Sequence, residues 1–172
     1  MNSDPASFVL LIFRLAVGVV FLAHGYNHIW GGGKIAGTGR WFTSLGMRPG
    51  IVHAWVASVT ELVAGVLLIL GFLTPFAGAA VIGVMFVAWI TNHRSNGFFI
   101  FRPGEGYEYV MTLTAAGVLF CGVGAGRWSL DSLAGPFDPP GWPVTLVALA
   151  AGFLGASVLL AVCWRPRSVA RP

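Results

Sequence analysis

Two histidines four residues apart, His24 and His28, close an otherwise apolar stretch, FLAHGYNHIWGGG (Phe21–Gly33). At about 100° per residue, that spacing sets both imidazoles on one helix face. Neutral imidazole donates and accepts hydrogen bonds and exchanges protons near pH 7. Further along, in segments equally poor in charge, stand Glu61, His93 and Glu108, with Arg14 early in the chain. Imidazoles and carboxylates brought together can hydrogen-bond a ligand's carbonyl or hydroxyl and pass protons to it.

The surroundings of these groups are greasy. Of 172 residues, 56% are hydrophobic and only 9% charged, and the mean hydropathy is positive; this excludes a soluble domain and a disordered chain. A helix needs about 20 residues to cross a hydrocarbon core of roughly 30 Å. Five apolar runs reach or approach that length, at 8–29, 51–72, 75–91, 109–125 and 142–164, the third and fourth being short. The sequence therefore predicts an all-α integral membrane protein. The first run lacks a basic leading region, exceeds a signal core in length and carries Arg14, so it is expected to stay in the mature protein. Cys121 and Cys163 fall in different runs with no CxxC spacing, as small apolar filler would. The formal charge of +4 is spread over loops and a tail, unlike the concentrated patch of a nucleic-acid binder.

Five crossings leave the N-terminus, the Gly71–Thr74 turn and the 126–141 loop on one side. The opposite side carries Lys34, Arg40, Arg48, Arg94, Arg102, Arg165, Arg167 and Arg171, against Arg127 alone on the first. Basic loops favour the cytoplasm, so the expected arrangement is a multi-pass membrane protein, N-terminus outside and C-terminus cytoplasmic. Trp30, Trp55, Trp89 and Trp164 near one set of helix ends, and Trp128 and Trp142 near the other, match interfacial aromatic belts. The glycine-rich 31–50 loop follows a membrane helix rather than a strand and contains no GxxxxGK[ST], so nucleotide binding is not expected. A short interfacial segment around Trp41–Met47 is.

On this layout His24, His28, His53, Glu61, His93 and Glu108 all fall in the cytoplasmic half, which neither the apolar runs nor the basic loops presuppose. Charged side chains within membrane spans face a bundle interior or an aqueous cavity, so the six point to one polar pocket. Glu61 lies roughly 15 Å beyond Ile51, near the midplane, with Arg14 about 6 Å from it in depth; a structural ion pair between Arg14 and Glu61 is the expectation. Ala57 and Gly65 flank Glu61 on one face and permit close helix approach. His53, taken alone, reads as an interfacial histidine satisfied by water. The segment from Asn92 to Val110 adds Asn96, Tyr107 and Glu108, and its Phe98, Phe99 and Phe101 are expected to fold back as an aromatic lid. The candidate binding residues are thus His24, His28, Glu61, His93, Asn96, Tyr107 and Glu108. No metal-ligand set is evident. Haem would need His53 or His93 opposite His24 or His28, because one helix face cannot supply both axial positions.

The motifs RLAVGVVFLAHG (14–25), ELVAGVLLILG (61–71), HRSNGFF (93–99) and GEGYEY (104–109) together resemble the DoxX family of small bacterial membrane proteins, over roughly Phe8 to Leu133. The resemblance implies a four-helix membrane domain, here residues 1–133, related to membrane subunits of quinol oxidase and thiosulfate:quinone oxidoreductase. Residues 134–172 depart from that pattern as a linker, a fifth helix without ionisable residues and a basic tail. That helix is expected at the periphery, with Gly152 and Gly155 allowing close packing.

These readings converge on a membrane subunit of a redox or respiratory assembly. It would bind a quinone-like or lipid ligand, menaquinone or ubiquinone among the candidates, in the cytoplasmic half of the bundle. No flavin, iron–sulfur or copper motif is visible, so any oxidoreductase activity would require a membrane or peripheral redox subunit as partner, and oligomerisation stays open. The alternative is a non-catalytic scaffold or assembly factor whose polar residues serve helix packing. A transporter would show internal repeats and room for alternating access; no repeat is visible.

Overall fold

The structure is a computed structural model that describes residues 4–134 and 137–166; Arg167 and Arg171 of the basic tail lie outside them. The elements are α1 (Asp4–Trp30), α2 (Lys34–Ser44), α3 (Gly50–Leu70), α4 (Thr74–Ala88) continued by a π-helical turn (Trp89–His93), α5 (Glu108–Val123), the short α6 (Leu130–Ala134) and α7 (Trp142–Cys163). Four helices are long and apolar enough to cross a membrane: Asp4–Trp30, Gly50–Leu70, Thr74–His93 and Trp142–Cys163. The apolar α5 is shorter, at 16 residues. All five predicted spans are helices, and the interfacial segment expected near Trp41 is α2, which buries Phe42 and Gly39 and packs on α3.

Small residues fix the helix pairs. α1 crosses α3 where a Cβ on Gly18 would stand 2.9 Å from the Gly65 carbonyl, and one on Gly65 2.8 Å from the Gly18 carbonyl. α4 and α5 meet in the same way at Gly78 and Gly117. Such contacts bring backbones close enough for dispersion to hold apolar helices together in lipid. The α1–α3 crossing also sets His24 and His28 beside the middle of α3.

Arg14 does not pair with Glu61, contrary to the expectation from depth. Fully buried, it spreads its guanidinium over backbone carbonyls: Nε donates to Ala125 (3.1 Å), Nη1 to Leu68 (2.8 Å) and Ile69 (3.3 Å), and Nη2 to Trp128 (2.7 Å). The last carbonyls of a helix lack partners within it and carry the negative end of its dipole, so a cation in hydrocarbon finds its compensation at the end of α3. Leu68 is seven residues past Glu61, or about 10 Å along the axis, which is too far for both contacts. Gly71 ends α3 in the left-handed region (φ 62°), and a Cβ there would run into the guanidinium. Beside it Asp131, also buried, accepts hydrogen bonds from the backbone N–H groups of Leu73 and Thr74, both at 2.8 Å. It thereby caps α4 from a distant segment, in place of a local capping side chain.

The opposite end is fastened differently. Arg48 N–H donates to the Cys163 carbonyl (3.0 Å), Arg165 N–H to Gly46 (2.8 Å) and Trp164 Nε1 to Leu45 (2.9 Å). The Arg94 guanidinium sits 5.2 Å from the Trp164 ring, a favourable cation–π distance. These contacts tie the end of α7 to the α2–α3 connection. α7 packs along α4, with Gly152 tight against the Ala79 carbonyl, and stays at the periphery, where only Ala148, Gly152, Ala156 and Leu160 are buried.

Candidate functional site

A cavity of about 520 Å³ runs through the α2 end of the bundle, within the range of small-molecule sites. Its polar end gathers His24, His28, His53, Glu61, His93 and Tyr109; the rest of its wall is mostly apolar, from α3, α4 and α7.

Glu61 and His28 form the buried centre. His28 Nδ1 lies 3.0 Å from Glu61 Oε2, with the side chains 15% and 5% exposed. Neither atom is aligned for a hydrogen bond with any described residue, so the two groups are close without a directed bond. Buried polar atoms in that condition are costly and are the natural points for a ligand or water to engage. The His28 ring is held by aromatic edges: Phe42 at 6.2 Å and Trp41 at 6.3 Å between centroids, both supplied by α2. Its backbone carbonyl accepts from Thr38 Oγ1 (2.8 Å), pinning α2 over the end of α1. His24 is exposed at the rim, stacked on Tyr109 with centroids 6.3 Å apart.

The other two histidines are oriented by carbonyls. His53 is buried, and its Nε2 donates to the Arg48 carbonyl (3.3 Å). His93 Nδ1 donates to the Glu105 carbonyl (2.9 Å), and its Nε2 faces Asn92 Nδ2 at 3.3 Å. A carbonyl can only accept, so both bonds fix which nitrogen carries a proton. The π turn delivers Asn92 and His93 to the cavity wall; such turns frequently accompany functional sites.

Three of the sequence candidates do not line this cavity. Asn96 instead closes its own loop, with Nδ2 donating to the carbonyls of Asn92 (3.0 Å), Gly104 (2.6 Å) and Glu105 (3.1 Å). Tyr107 packs edge-on against Phe98 at 5.6 Å. Glu108 borders a separate shallow hollow with Phe98 and Met111. The aromatic lid is absent from the cavity wall: Phe98, Phe99 and Phe101 form an exposed ridge, Phe101 at 79% exposure. The loop is drawn tight by Gly106 N–H to Phe99 and Glu108 N–H to Phe98, which turns the phenyl rings outward. Sequence reasoning missed Tyr109, Asn92 and Glu105 as wall residues and set His53 aside. For His53 a signal existed: His53, Ala57 and Glu61 recur every four residues and so share a face.

The DoxX family profile matches residues 9–94, half of the chain. The chain belongs to the DoxX family. The matched region of this DoxX protein includes all four histidines and Glu61, whereas Tyr109 and α7 lie beyond it. It is 28% identical over 132 residues to an uncharacterized protein of Haemophilus influenzae, covering 72% of this chain and 82% of that one. It is 37% identical over 84 residues to Inner membrane protein YphA of Escherichia coli, covering 44% of this chain and 58% of the relative. No solved structure matches it. This DoxX chain is a multi-pass membrane protein.

Proposed function

We propose that the cavity binds the headgroup of a quinone-like or lipid ligand and that the chain serves as a membrane subunit of a redox assembly in the inner membrane. The observation that carries this reading is the buried His28–Glu61 contact, 3.0 Å apart and unaligned, at the polar end of an otherwise apolar 520 Å³ space. A flat headgroup with two hydrogen-bonding oxygens suits that end: an imidazole donates to one oxygen, and Glu61 gives or takes a proton as the ligand's charge changes. The redox centre itself would belong to a partner. The excess of basic residues at the α2 end supports a cytoplasmic site, and the inner-membrane name of the Escherichia coli relative supports the location.

The test is titration of the purified protein with menaquinone and ubiquinone analogues, followed by tryptophan quenching from Trp41. A His24→Ala, Glu61→Gln double variant should lose most of the affinity while staying folded. Unchanged binding in that variant would remove the pocket from the account.

A further inference from the structure

From the shape of the same cavity, and resting on the proposed function above, we infer that its ligand is an amphiphile with one long apolar tail, which lies in a side-opening trough between α3 and α7 with Gly83 and Gly155 as its floor. The cavity wall on α4 extends from Asn92 down to Phe76; Ala88 to Phe76 alone is about 18 Å at 1.5 Å per residue. That is more than half the thickness of a hydrocarbon core and far longer than a headgroup requires.

The trough is open sideways. Val56 of α3 and Ala151 and Gly155 of α7 line it and are nonetheless exposed, at positions well inside spanning helices. α3 and α7 both pack on α4, and no substantial contact joins them to each other. At the aqueous end the space is bridged by the bonds between residues 45–48 and 163–165. The accessible route for an apolar tail is therefore lateral, from the bilayer.

The glycines divide by what surrounds them. On Gly152 a Cβ would stand 2.8 Å from the Ala79 carbonyl, so that residue is needed for the α4–α7 contact. On Gly155 a Cβ meets nothing within 4 Å, and on Gly83 only the Gly152 carbonyl at 3.6 Å. Helix packing does not demand glycine at these two positions, and their missing side chains leave the trough empty. Glu61, 4% exposed and with an oxygen that makes no directed hydrogen bond among the described residues, faces the same space from the polar end.

The experiment compares wild type, Gly155→Phe and Gly83→Leu in lipid nanodiscs. The probes are a decyl-tailed benzoquinone, the same benzoquinone with methyl replacing the tail, and a decyl-tailed monoacyl lipid. Both variants should keep the wild-type Tm and the affinity for the tail-less quinone, and should lose most of the affinity for the tailed quinone. The surrounding lipid is as apolar as the trough, so the loss reads the room a bound headgroup leaves for its tail and not a transfer from water. If the lipid alone shows the dependence on Gly155 and Gly83, the trough stands and its occupant is a lipid. Tailed probes that bind both variants as they bind wild type would overturn the trough. Absence of binding of every probe to wild type would overturn the headgroup site beneath it.

Discussion

Replacing Arg14 by Met is the perturbation that separates the bundle's structural polar site from its candidate binding site. The side chain is fully buried and donates to four carbonyls from two segments, the end of α3 and the connection after α5. The Leu68 carbonyl keeps the Gly71 N–H as another donor, whereas the Ala125 carbonyl, in the turn after α5, keeps none among the described residues. Charge-assisted hydrogen bonds contribute about 1.5–3 kcal/mol each, and loss of the buried cation recovers part of that. A net cost of about 3 kcal/mol follows, which at ~2–4 °C per kcal/mol for a chain of this size lowers Tm by roughly 6–12 °C. Thermal unfolding in detergent, followed by tryptophan fluorescence, measures it. Combined with Glu61→Gln in a double-mutant cycle, the two changes should add to within about 0.5 kcal/mol, as separated sites do. A Tm within 2 °C of wild type (roughly 0.5–1 kcal/mol) would refute the carbonyl assignment, and a coupling energy above about 1.5 kcal/mol, as contacting charges show, would restore an Arg14–Glu61 pair.

Asp131→Ala removes the carboxylate that accepts from Leu73 and Thr74 and should cost about 1–2 kcal/mol, the usual loss for an N-cap, read as a lower Tm without loss of ligand affinity. Asn96→Ala frees three carbonyls of the α4–α5 loop, so limited proteolysis should cut within Phe98–Phe101 faster than in wild type at an unchanged helical signal. Membrane sidedness is tested by single cysteines in a Cys121→Ala, Cys163→Ala background. Arg127→Cys should react with an impermeant maleimide in intact cells and Arg40→Cys only after permeabilisation; the reverse pattern would invert the proposed orientation.

Most of the architecture was legible because hydrocarbon imposes one simple rule, that a backbone crossing it must satisfy its own hydrogen bonds, which apolar runs of about 20 residues do as helices. The runs at 51–72 and 142–164 differ from α3 and α7 by only a residue or two at each end. The clustering of polar groups was legible for the same reason, since histidines and acids in apolar spans have few acceptable surroundings, and His24, His28, Glu61 and His93 line one cavity. Pairing among them was not. Axial depth assigned Arg14 to Glu61, but depth carries no information on azimuth or on the carbonyls that a helix end offers, and those carbonyls are where Arg14 goes. Asn96 and Glu108 looked like ligands by type; the backbone path of the 94–107 loop, with Glu105 held at φ 62°, decides which way they face. The role of α7 was hidden because a helix without ionisable residues shows no preferred side: only the built structure distinguishes Gly152, in contact, from Gly155, facing space.

The central claim, that a ligand headgroup sits between His28 and Glu61, is tested most directly by photo-crosslinking with an azido-quinone in native membranes and mapping the labelled peptides. The account predicts labelling in the 24–28 and 53–61 segments and the π turn at 89–93, reduced by Glu61→Gln and competed by unlabelled quinone. Labelling confined to the exposed Phe98–Phe101 ridge or to the lipid-facing side of α1, insensitive to Glu61, would contradict it.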